Sequence, residues 1–338
     1  MKLLVLSESQ NHVSCRYRVQ AFEPALRAAG WSVSIRPLAG ADVRFLDVLR
    51  EARRSDAVLV QRRLLSMAKM HLLRSCARRL VYDFDDALFL RDSNHRKPAW
   101  SWRRRSRFRE MASACDAVIA GNAHLADCTT QVSRKTRVVV IPTCVRPNLY
   151  TPDSEREPGT GLRIAWIGSR STLASLQALG PALRAAGHRI PGLELHVICD
   201  RFPDLPGVKV VRRQWSQPTE AAHIARCDVG ISWLPEHPWS RGKCGLKVLQ
   251  YMAAGLPVIV NSFGVHREIV ADGTHGLLIA TAGDLIPALA RLAADPELRS
   301  SQGKRGRQRV EAEYSVARWS DTFLHSISGR AGSERIAS

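Results

Sequence analysis

The sequence lacks three features: an apolar run long enough to cross a membrane, a closely spaced pair of cysteines, and a balance of charge. No apolar run approaches the ~18 residues that a membrane-spanning helix needs. None of the eight cysteines forms a CxxC pair, and Met1-Lys2 opens directly into an apolar stretch with no signal peptide before it. We therefore expect a cytoplasmic protein with reduced thiols, and neither a disulfide framework nor a zinc site.

Acidic residues are scarce, and the shortage is uneven. The chain has 50 Lys+Arg against 31 Asp+Glu, a formal net charge of +19. Residues 1–150 hold 27 basic and 13 acidic residues, net +14, which leaves 23 basic and 18 acidic residues, net +5, in the remainder. Such a basic first half predicts a polyanionic partner there: nucleic acid, an anionic membrane or a phosphorylated substrate.

Short apolar strands alternate with helical stretches along the 338 residues, and the alternation breaks once, in the Pro-, Gly- and charge-rich segment 143–161. The pattern predicts an α/β fold of two doubly wound domains, 1–150 and 151–312, each built on a parallel sheet. A helix at 313–330 follows and is expected to pack back toward the first domain. The predicted strands are 2–7, 32–38, 57–62, 79–85, 117–122, 137–143, 162–169, 193–200, 208–215, 228–235, 257–263 and 276–280.

The stretch RGKCGLKVLQYMAAGLPVIV (241–260) contains a Gly- and Lys-bearing turn that leads into an apolar helix. A helix start offers unpaired N–H groups and a positive dipole end, glycines let the backbone approach a ligand, and Lys243 and Lys247 add full charges. These features together favour a phosphate or diphosphate site. A capped helix with solvated lysines is the alternative that the spacing leaves open.

Several segments resemble GT-B glycosyltransferases of the retaining family 4 type. GKCGLKVLQYMAAGLPVIV (242–260) and GVHREIVADGTHGLL (264–278) are similar to the donor-binding half of these enzymes. Further similar segments follow in the expected order: SCRYRVQAFEPALRAAGWSV (14–33), VYDFDDALF (81–89), VIAGNAHLA (118–126), VVVIPTCV (138–145) and IAWIGSRSTLASL (164–176). The resemblance implies two Rossmann-like domains facing across a cleft, an acceptor-binding one and a nucleotide-sugar-binding one.

The resemblance also implies roles for particular residues of the second domain. Lys247 would contact the donor diphosphate, and the backbone of Gly245 and Leu246 would hold its distal phosphate. Arg170 matches the position of a cationic diphosphate ligand. Glu268 matches a glutamate near the donor sugar, although an acidic residue that complements a helix dipole is an alternative interpretation.

The sequence departs from the family at two glutamate positions spaced eight residues apart, which are here Gly242 and Gln250. Gln250 can still hydrogen-bond a ribose hydroxyl of the donor. Gly242 cannot replace a carboxylate, so either the sugar is held differently or Lys243 and nearby backbone take over.

VYDFDDALF places Asp83, Asp85 and Asp86 at the end of a strand, where such sheets bind ligands. Adjacent carboxylates repel one another, and Arg16 or Arg18 could offset this and bind the acceptor. We take Asp85 and Asp86 as candidate catalytic residues that bind the acceptor hydroxyl and accept its proton. The alternative is that an aspartate of this cluster caps the next element.

RDSNHRKPAWSWRRRSRFR (91–109) carries eight basic residues and one aspartate. Basic residues interleaved with aromatic ones suit an anionic membrane surface, as well as single-stranded nucleic acid; a solvated helix face is the simpler alternative. Given the resemblance, we prefer the inner face of the plasma membrane. The predicted membrane-surface residues are Trp100, Trp102, Arg103, Arg104 and Arg105.

The leading hypothesis is a glycosyltransferase that moves a sugar from a nucleotide-sugar to a lipid-linked or glycan hydroxyl acceptor, with retention, in cell-surface polysaccharide or glycolipid assembly. The resemblance implies no cofactor and no metal ion. A sugar-nucleotide-binding subunit without catalysis is the alternative, and the two departures from the family motivate it. A nucleic-acid-binding protein is disfavoured because the phosphate-site features lie in the less basic half. Another GT-B activity, such as an epimerase or phosphorylase, stays open because fold does not fix function.

Overall fold

The structure, a computed structural model, describes residues 1–38, 44–95, 97–151 and 161–329. Residues 152–160 of the predicted linker, Arg96 and Arg330 lie outside the described residues. The chain divides into two compact units. The described residues of the first fall within Met1–Cys144, His237–Cys244 and Val316–Ser338, and those of the second within Val145–Glu236 and Gly245–Ser315.

Each unit is built on a six-stranded sheet in which all neighbouring strands run parallel. The first sheet contains β1 Lys2–Ser7, β2 Ser32–Pro37, β3 Ala57–Gln61, β4 Leu80–Phe84, β5 Ala117–Ala120 and β6 Arg137–Val140. The second contains β7 Arg163–Ile167, β8 Glu194–Cys199, β9 Val210–Gln214, β10 Val229–Ser232, β11 Val258–Asn261 and β12 Gly276–Ile279. The predicted α/β fold with two doubly wound parallel sheets is confirmed.

Helices flank both sheets. Those in the first unit are α1 Val13–Arg18, α2 Glu23–Ala28, α3 Phe45–Arg53, α4 Met67–Cys76, α5 Trp102–Ala114, α6 Ala123–Val132 and α14 Val316–Ser328. Those in the second are α7 Leu173–Gln177, α8 Gly180–Arg189, α9 Glu220–Ala225, α10 Leu246–Ala253, α11 His266–Ile269, α12 Leu285–Ala294 and α13 Pro296–Glu313.

The first sheet has the strand order β2-β1-β3-β4-β5-β6 and is buried on both faces. One face packs on α3, α4, α5 and α6, and the other on α1, α2 and α14. The C-terminal helix α14 is fixed to this second face by Phe323, whose ring stacks on Phe22 at 4.5 Å, and by Arg79, whose guanidinium donates to the carbonyl oxygens of Ser326 and Ile327. A helix predicted from residue 313 thus begins at Val316 and belongs to the first unit.

The second sheet has the order β12-β11-β10-β7-β8-β9. Successive strands are added on one side of β7 as far as β9 and on its other side from β10 onward, so the strand order reverses between β7 and β10. Helix α10 packs across this point. The Tyr251 ring lies so close to Gly230 of β10 that a Cβ there would be 2.3 Å from it, and the Tyr251 hydroxyl accepts a hydrogen bond from the Ile167 backbone N–H of β7 (2.8 Å). These contacts pack α10 against both β7 and β10.

Candidate functional site

The second unit brings three predicted donor residues to the β7–β10 reversal of its sheet, the position where open parallel sheets bind ligands. Helix α10 begins directly after Gly245, whose φ of +68° lies in the left-handed region. A Cβ at Gly245 would also come within 2.3 Å of Ile269 Cδ1, so glycine is required here on two grounds. Leu246 and Lys247 are the first two residues of the helix.

The Lys247 side chain is held by two groups of the segment that starts in β7. Its ammonium nitrogen lies 4.2 Å from the centroid of the buried Trp166 ring and 3.2 Å from Thr172 Oγ1. Gly168 permits this arrangement, because a Cβ there would be 2.3 Å from the Trp166 ring and 2.6 Å from Thr172 Oγ1. The cation is therefore fixed near a helix start, which suits a phosphate ligand.

Arg170 lies in the same segment, two residues before Thr172. Its side chain is exposed, and its backbone N–H donates to Asp200 Oδ1 at 3.1 Å. Glu268 in α11 is also exposed, and its carbonyl oxygen accepts from Arg309. The donor roles of both residues stay predictions.

Gln250 lies in a different environment. It is buried in α10, and its side-chain amide donates to the Tyr150 hydroxyl at 3.0 Å. The Arg307 guanidinium joins the same two segments through the carbonyl oxygens of Ala253 and Tyr150. The described contact of Gln250 is thus with another residue of the second unit, and its ribose contact remains a prediction.

His266, at the start of α11, is buried near the same lysine. Its Nδ1 lies 3.1 Å from the Asn261 carbonyl oxygen and 3.2 Å from Asn261 Oδ1. Burial lowers the pKa of His266 from 6.5 to about 4, the Asn261 carbonyl opposes that change, and Lys247 adds to it. The imidazole is therefore neutral at pH 7 and does not add to the cationic charge of this site.

In the first unit, the three aspartates after and within β4 have different partners. Asp83 is fully buried and forms an ion pair with Arg18, with Nη2 2.5 Å from Oδ1, and Arg18 also donates to the Ile141 carbonyl oxygen. Burial raises the pKa of the Asp83 carboxyl, and contact with Arg18 opposes that rise. Arg18 is only 1% exposed, so its guanidinium has almost no surface for an acceptor in this structure. Its acceptor-binding role remains a prediction.

Asp85 and Asp86 share a cation that sequence reasoning missed, Arg62. Arg62 Nη1 lies 3.0 Å from Asp85 Oδ1 and 2.5 Å from Asp86 Oδ2, and it donates to Ser14 Oγ at 3.0 Å. Burial opposes ionisation of Asp85, but Arg62, Arg18 and a hydrogen bond from Ser14 outweigh it, and the pKa of Asp85 is lowered. Arg62 immediately follows β3, and the strand-end rule that selected the aspartates would also have selected it.

Lys243, predicted as a donor ligand, belongs to the first unit in this structure. Its ammonium lies 2.9 Å from Asp86 Oδ1, and the unit boundary falls between Cys244 and Gly245. Lys243 and Lys247 are therefore held by different units. A donor contact by Lys243 stays a prediction, with Asp86 as its present partner.

Residues 237–244 are packed closely against the rest of the first unit. Asn122 caps α6, and its side-chain amide also donates to the carbonyl oxygens of Arg241 and Lys243. A Cβ at Gly242 would be 2.5 Å from the Ala87 backbone nitrogen. A glutamate would therefore not fit at this position without a backbone shift.

The last of the predicted site residues are Arg16 and those of the basic stretch 91–109. Arg16 in α1 stacks over the Tyr17 ring at 4.6 Å, and its acceptor role stays a prediction. Trp100 and Trp102 are 56% and 70% exposed. Arg103 and Arg105 of α5 are exposed too, whereas Arg104 is half-buried and donates to the Leu88 carbonyl oxygen at 3.2 Å.

No group of three or more His, Cys, Asp and Glu side chains in the described ranges could hold a metal ion. Nor does any described helix have the length and apolar character needed to cross a membrane.

Comparison with known proteins gives consistent matches. A family model described as glycosyl transferase-like matches residues 179–325. An alpha-maltose-1-phosphate synthase from Mycolicibacterium smegmatis is 29% identical over 171 residues, which are 42% of this chain and 42% of that protein. The match thus spans less than half the length of that relative.

Solved structures match over nearly the whole chain. A sucrose-phosphate synthase from Thermosynechococcus elongatus has a TM-score of 0.70 at 18% identity, over 96% of this chain and 97% of that one. Anabaena Alr3699/HepE, solved in complex with UDP, has a TM-score of 0.68 at 16% identity, over 98% of this chain and 100% of that one. This chain thus shares the two-sheet fold of these solved structures, and its residues 179–325 are similar to the glycosyl transferase-like family.

Proposed function

We propose that this protein transfers a sugar from a nucleotide-sugar donor to a hydroxyl acceptor, with retention of the anomeric configuration. The observation that carries the proposal is the placement of Lys247. It lies at the start of a helix, just after a glycine with left-handed backbone, at the point where the strand order of the second sheet reverses. A fixed cation and the free N–H groups of a helix start are what a diphosphate needs.

The donor class draws support from a relative. Anabaena Alr3699/HepE was also solved with UDP-glucose, and it matches this chain along 98% of its length. By this likeness, the backbone of Gly245 and Leu246 would hold the distal phosphate, and Lys247 and Arg170 would hold its charge. Holding the charge that develops on the departing nucleotide diphosphate would be the main catalytic term, supplied by these side chains without a metal ion.

The acceptor would be bound by the first unit, at the Asp85–Asp86 cluster. Exposed Trp100 and Trp102 with Arg103 and Arg105 next to them form a basic, aromatic surface on the same unit. Such a surface suits the interface of an anionic membrane. We therefore place the reaction in cell-surface polysaccharide or glycolipid assembly, with a lipid-linked or glycan acceptor.

A thermal-shift screen of UDP-, GDP- and dTDP-sugars tests the donor site. A ligand that binds only the folded state raises the melting temperature by mass action. We expect a shift with one nucleotide class, lost in Lys247→Ala and kept in Lys304→Ala, an exposed lysine of α13 in the same unit. No shift with any nucleotide-sugar, in wild-type protein shown to be folded, would contradict the donor assignment.

Donor turnover separates the enzyme from a non-catalytic binding subunit, the second candidate, which Gly242 and Gln250 motivate. An enzyme should slowly hydrolyse its nucleotide-sugar in water without an acceptor, and the released sugar should initially have the anomeric configuration of the donor. The rate should be the same with EDTA as with added Mg²⁺ or Mn²⁺. A nucleotide-induced thermal shift without any hydrolysis would favour the binding subunit.

Competition between vesicles and an oligonucleotide tests the basic surface. Vesicles of anionic phospholipid should bind the protein and should not be displaced by single-stranded DNA. Replacing Trp100 and Trp102 by alanine should weaken vesicle binding, because aromatic side chains anchor proteins at this interface. Leu149→Ala, which removes an exposed apolar side chain of the second unit, is the matched control. Displacement by the oligonucleotide would contradict the membrane assignment.

A further inference from the structure

Arg62 has a backbone conformation that few residues adopt. Among the described residues it is the one non-glycine residue with a positive φ, +60°. Left-handed backbone costs free energy for any residue with a Cβ, and such conformations persist where surrounding contacts hold them, often at functional sites. Arg62 follows β3 directly, and its backbone N–H donates to the Asp83 carbonyl oxygen at 2.8 Å.

The site of this strain is the reversal point of the first sheet. Strands β1 and β3 are neighbours there, with β2 on one side and β4 on the other. The Arg62 guanidinium reaches Ser14, from the segment after β1, and Asp85 and Asp86, from the segment after β4. One cation thus joins the ends of three adjacent strands at the position where ligands of such sheets bind.

The two aspartates that Arg62 contacts are not equivalent. Both oxygens of Asp86 are in ion pairs, Oδ2 with Arg62 and Oδ1 with Lys243, and its side chain is 4% exposed. Asp85 meets Arg62 through Oδ1, and its side chain is 12% exposed. The Asp86 charge is therefore balanced by two cations of the protein itself, whereas Asp85 is the more accessible carboxylate.

We propose that Arg62 is a positioning residue, which orients the Asp85 carboxylate to accept a hydrogen bond from the acceptor hydroxyl, while Asp86 holds Arg62 and Lys243 in place. This inference rests on the proposed glycosyl transfer and assigns separate roles to two residues that the sequence could not distinguish. Asp85 stays ionised beside Arg62, so its carboxylate can accept this hydrogen bond and orient the hydroxyl.

Several other charged and titratable groups lie around Asp85 and bear on its ionisation. Arg18 and Lys243 favour the carboxylate. Asp83, His12, Tyr82 and Cys244 also interact with it. Burial and Arg62 lower the pKa of His12, and burial raises the pKa of Cys244 well above its usual range, so both side chains are neutral near pH 7.

The test uses hydrolysis of UDP-glucose, GDP-mannose and dTDP-glucose, in which water takes the place of the acceptor hydroxyl. Asp85→Asn should lower kcat about 10- to 100-fold, the value of one hydrogen bond to a charged group, and leave the nucleotide-induced thermal shift unchanged. Asp86→Asn should lower the melting temperature, and the factor by which it reduces kcat should be several-fold smaller than that for Asp85→Asn. Asp127→Asn, an exposed residue of α6, is the matched control that should change neither.

The pH profile separates positioning from a merely structural role. Arg62→Gln removes the charge that keeps Asp85 ionised, so the acid limb of kcat should move to higher pH. Arg62→Lys restores the charge and should move the limb part of the way back. If Arg62→Gln does not fold, the comparison of Asp85→Asn with Asp86→Asn decides alone.

Four results would overturn the inference. Asp85→Asn with the wild-type kcat, or Asp86→Asn with an equal loss, would remove the distinction between the two aspartates. Nucleotide binding without hydrolysis by the wild type would favour the non-catalytic subunit instead. Neither a thermal shift nor hydrolysis with any of the three donors would overturn the proposed function, and this inference with it.

Discussion

The ammonium nitrogen of Lys247 lies 4.2 Å from the centroid of the Trp166 ring. Lys247 is in the first turn of α10, and Trp166 is the last residue but one of β7, so the contact joins the two elements that define the candidate donor site. A cation over an indole face can still donate hydrogen bonds sideways. We infer that the ring holds the ammonium in place before a diphosphate arrives.

Replacing Trp166 should therefore weaken nucleotide binding. Trp166→Leu removes the ring, and the nucleotide Kd should rise about 2- to 30-fold, which corresponds to a cation–π contact of about 0.5–2 kcal/mol. Trp166→Phe keeps a smaller ring and should lose less. Titration calorimetry with UDP, GDP and dTDP measures the effect, at a temperature where each variant is shown to be folded.

A double-mutant cycle distinguishes this contact from general loosening of the core. In a Lys247→Met background, Trp166→Phe should have almost no further effect on the Kd, because the two changes remove the same interaction. Equal effects in both backgrounds would show that Trp166 acts without Lys247. Tighter binding by Trp166→Leu would mean that the ring competes with the ligand for the cation.

The strands were predictable because each is a short, nearly continuous apolar run bounded by Gly, Pro or polar residues. Their ends were predicted up to three residues too long, as at 137–143, where β6 ends at Val140. Pairing with a neighbouring strand decides where a strand ends, and a single sequence does not contain that information. The left-handed backbone of Gly245 was predictable for a similar local reason, because a glycine just before a helix start can adopt it without a steric penalty.

The partners of the charged side chains were only partly predictable. Arg16 or Arg18 was the expected partner of the aspartate cluster, and Arg18 does pair with Asp83, but Arg62 contacts Asp85 and Asp86. Lys243 lies beside Lys247 in the sequence but pairs with Asp86, more than a hundred residues away. Such pairs depend on which strands are neighbours and on the direction of each side chain, and both are set by the whole fold.

Loss of the buried Arg18–Asp83 pair should be far more costly than loss of an exposed pair. Arg18→Met leaves the Asp83 carboxylate buried without its cation, and the free energy of unfolding should fall by about 3–5 kcal/mol. Arg27→Met is the matched control, because Arg27 and Glu23 form an exposed pair within one helix and should contribute about 0.5 kcal/mol or less. Urea unfolding of both variants makes the comparison. Similar losses would show that Asp83 is protonated and stable without Arg18.

His266 should make the protein less stable in mild acid. Its folded-state pKa of about 4 lies below its usual 6.5, so the unfolded chain binds the proton more tightly. The stability from the neutral imidazole is fully present above pH 6.5 and is lost as the pH falls toward 4. Between pH 7 and pH 5 this residue alone should reduce the free energy of unfolding by about 2 kcal/mol.

Urea unfolding at the two pH values isolates the contribution of His266. The loss between pH 7 and pH 5 should be smaller in His266→Gln than in the wild type, because glutamine does not titrate. His188→Gln changes an exposed histidine of α8 and should leave the loss as it is in the wild type. An unchanged loss in His266→Gln would show that other groups account for the pH dependence.

Gly242 offers a test of whether the departure from the family reduces donor binding or serves packing. A Cβ there would be 2.5 Å from the Ala87 nitrogen and 2.8 Å from its Cβ, and both are parts of the chain that cannot rotate away. Gly242→Ala and Gly242→Glu should therefore both lower the melting temperature, and the glutamate should not strengthen nucleotide binding. Either change would also displace Lys243, the next residue, from Asp86.

Gly187→Ala is the control for this prediction. Gly187 lies in α8, where a new Cβ would make only ordinary contact, 3.9 Å from the Gly207 carbonyl oxygen. Alanine is the better helix former, so this variant should gain about 0.5–1 kcal/mol of stability while Gly242→Ala loses stability. Thermal unfolding with and without nucleotide measures both quantities for each variant. A Gly242→Glu protein that keeps its melting temperature and binds nucleotide more tightly would show that the glycine reduces donor binding and that its packing is dispensable.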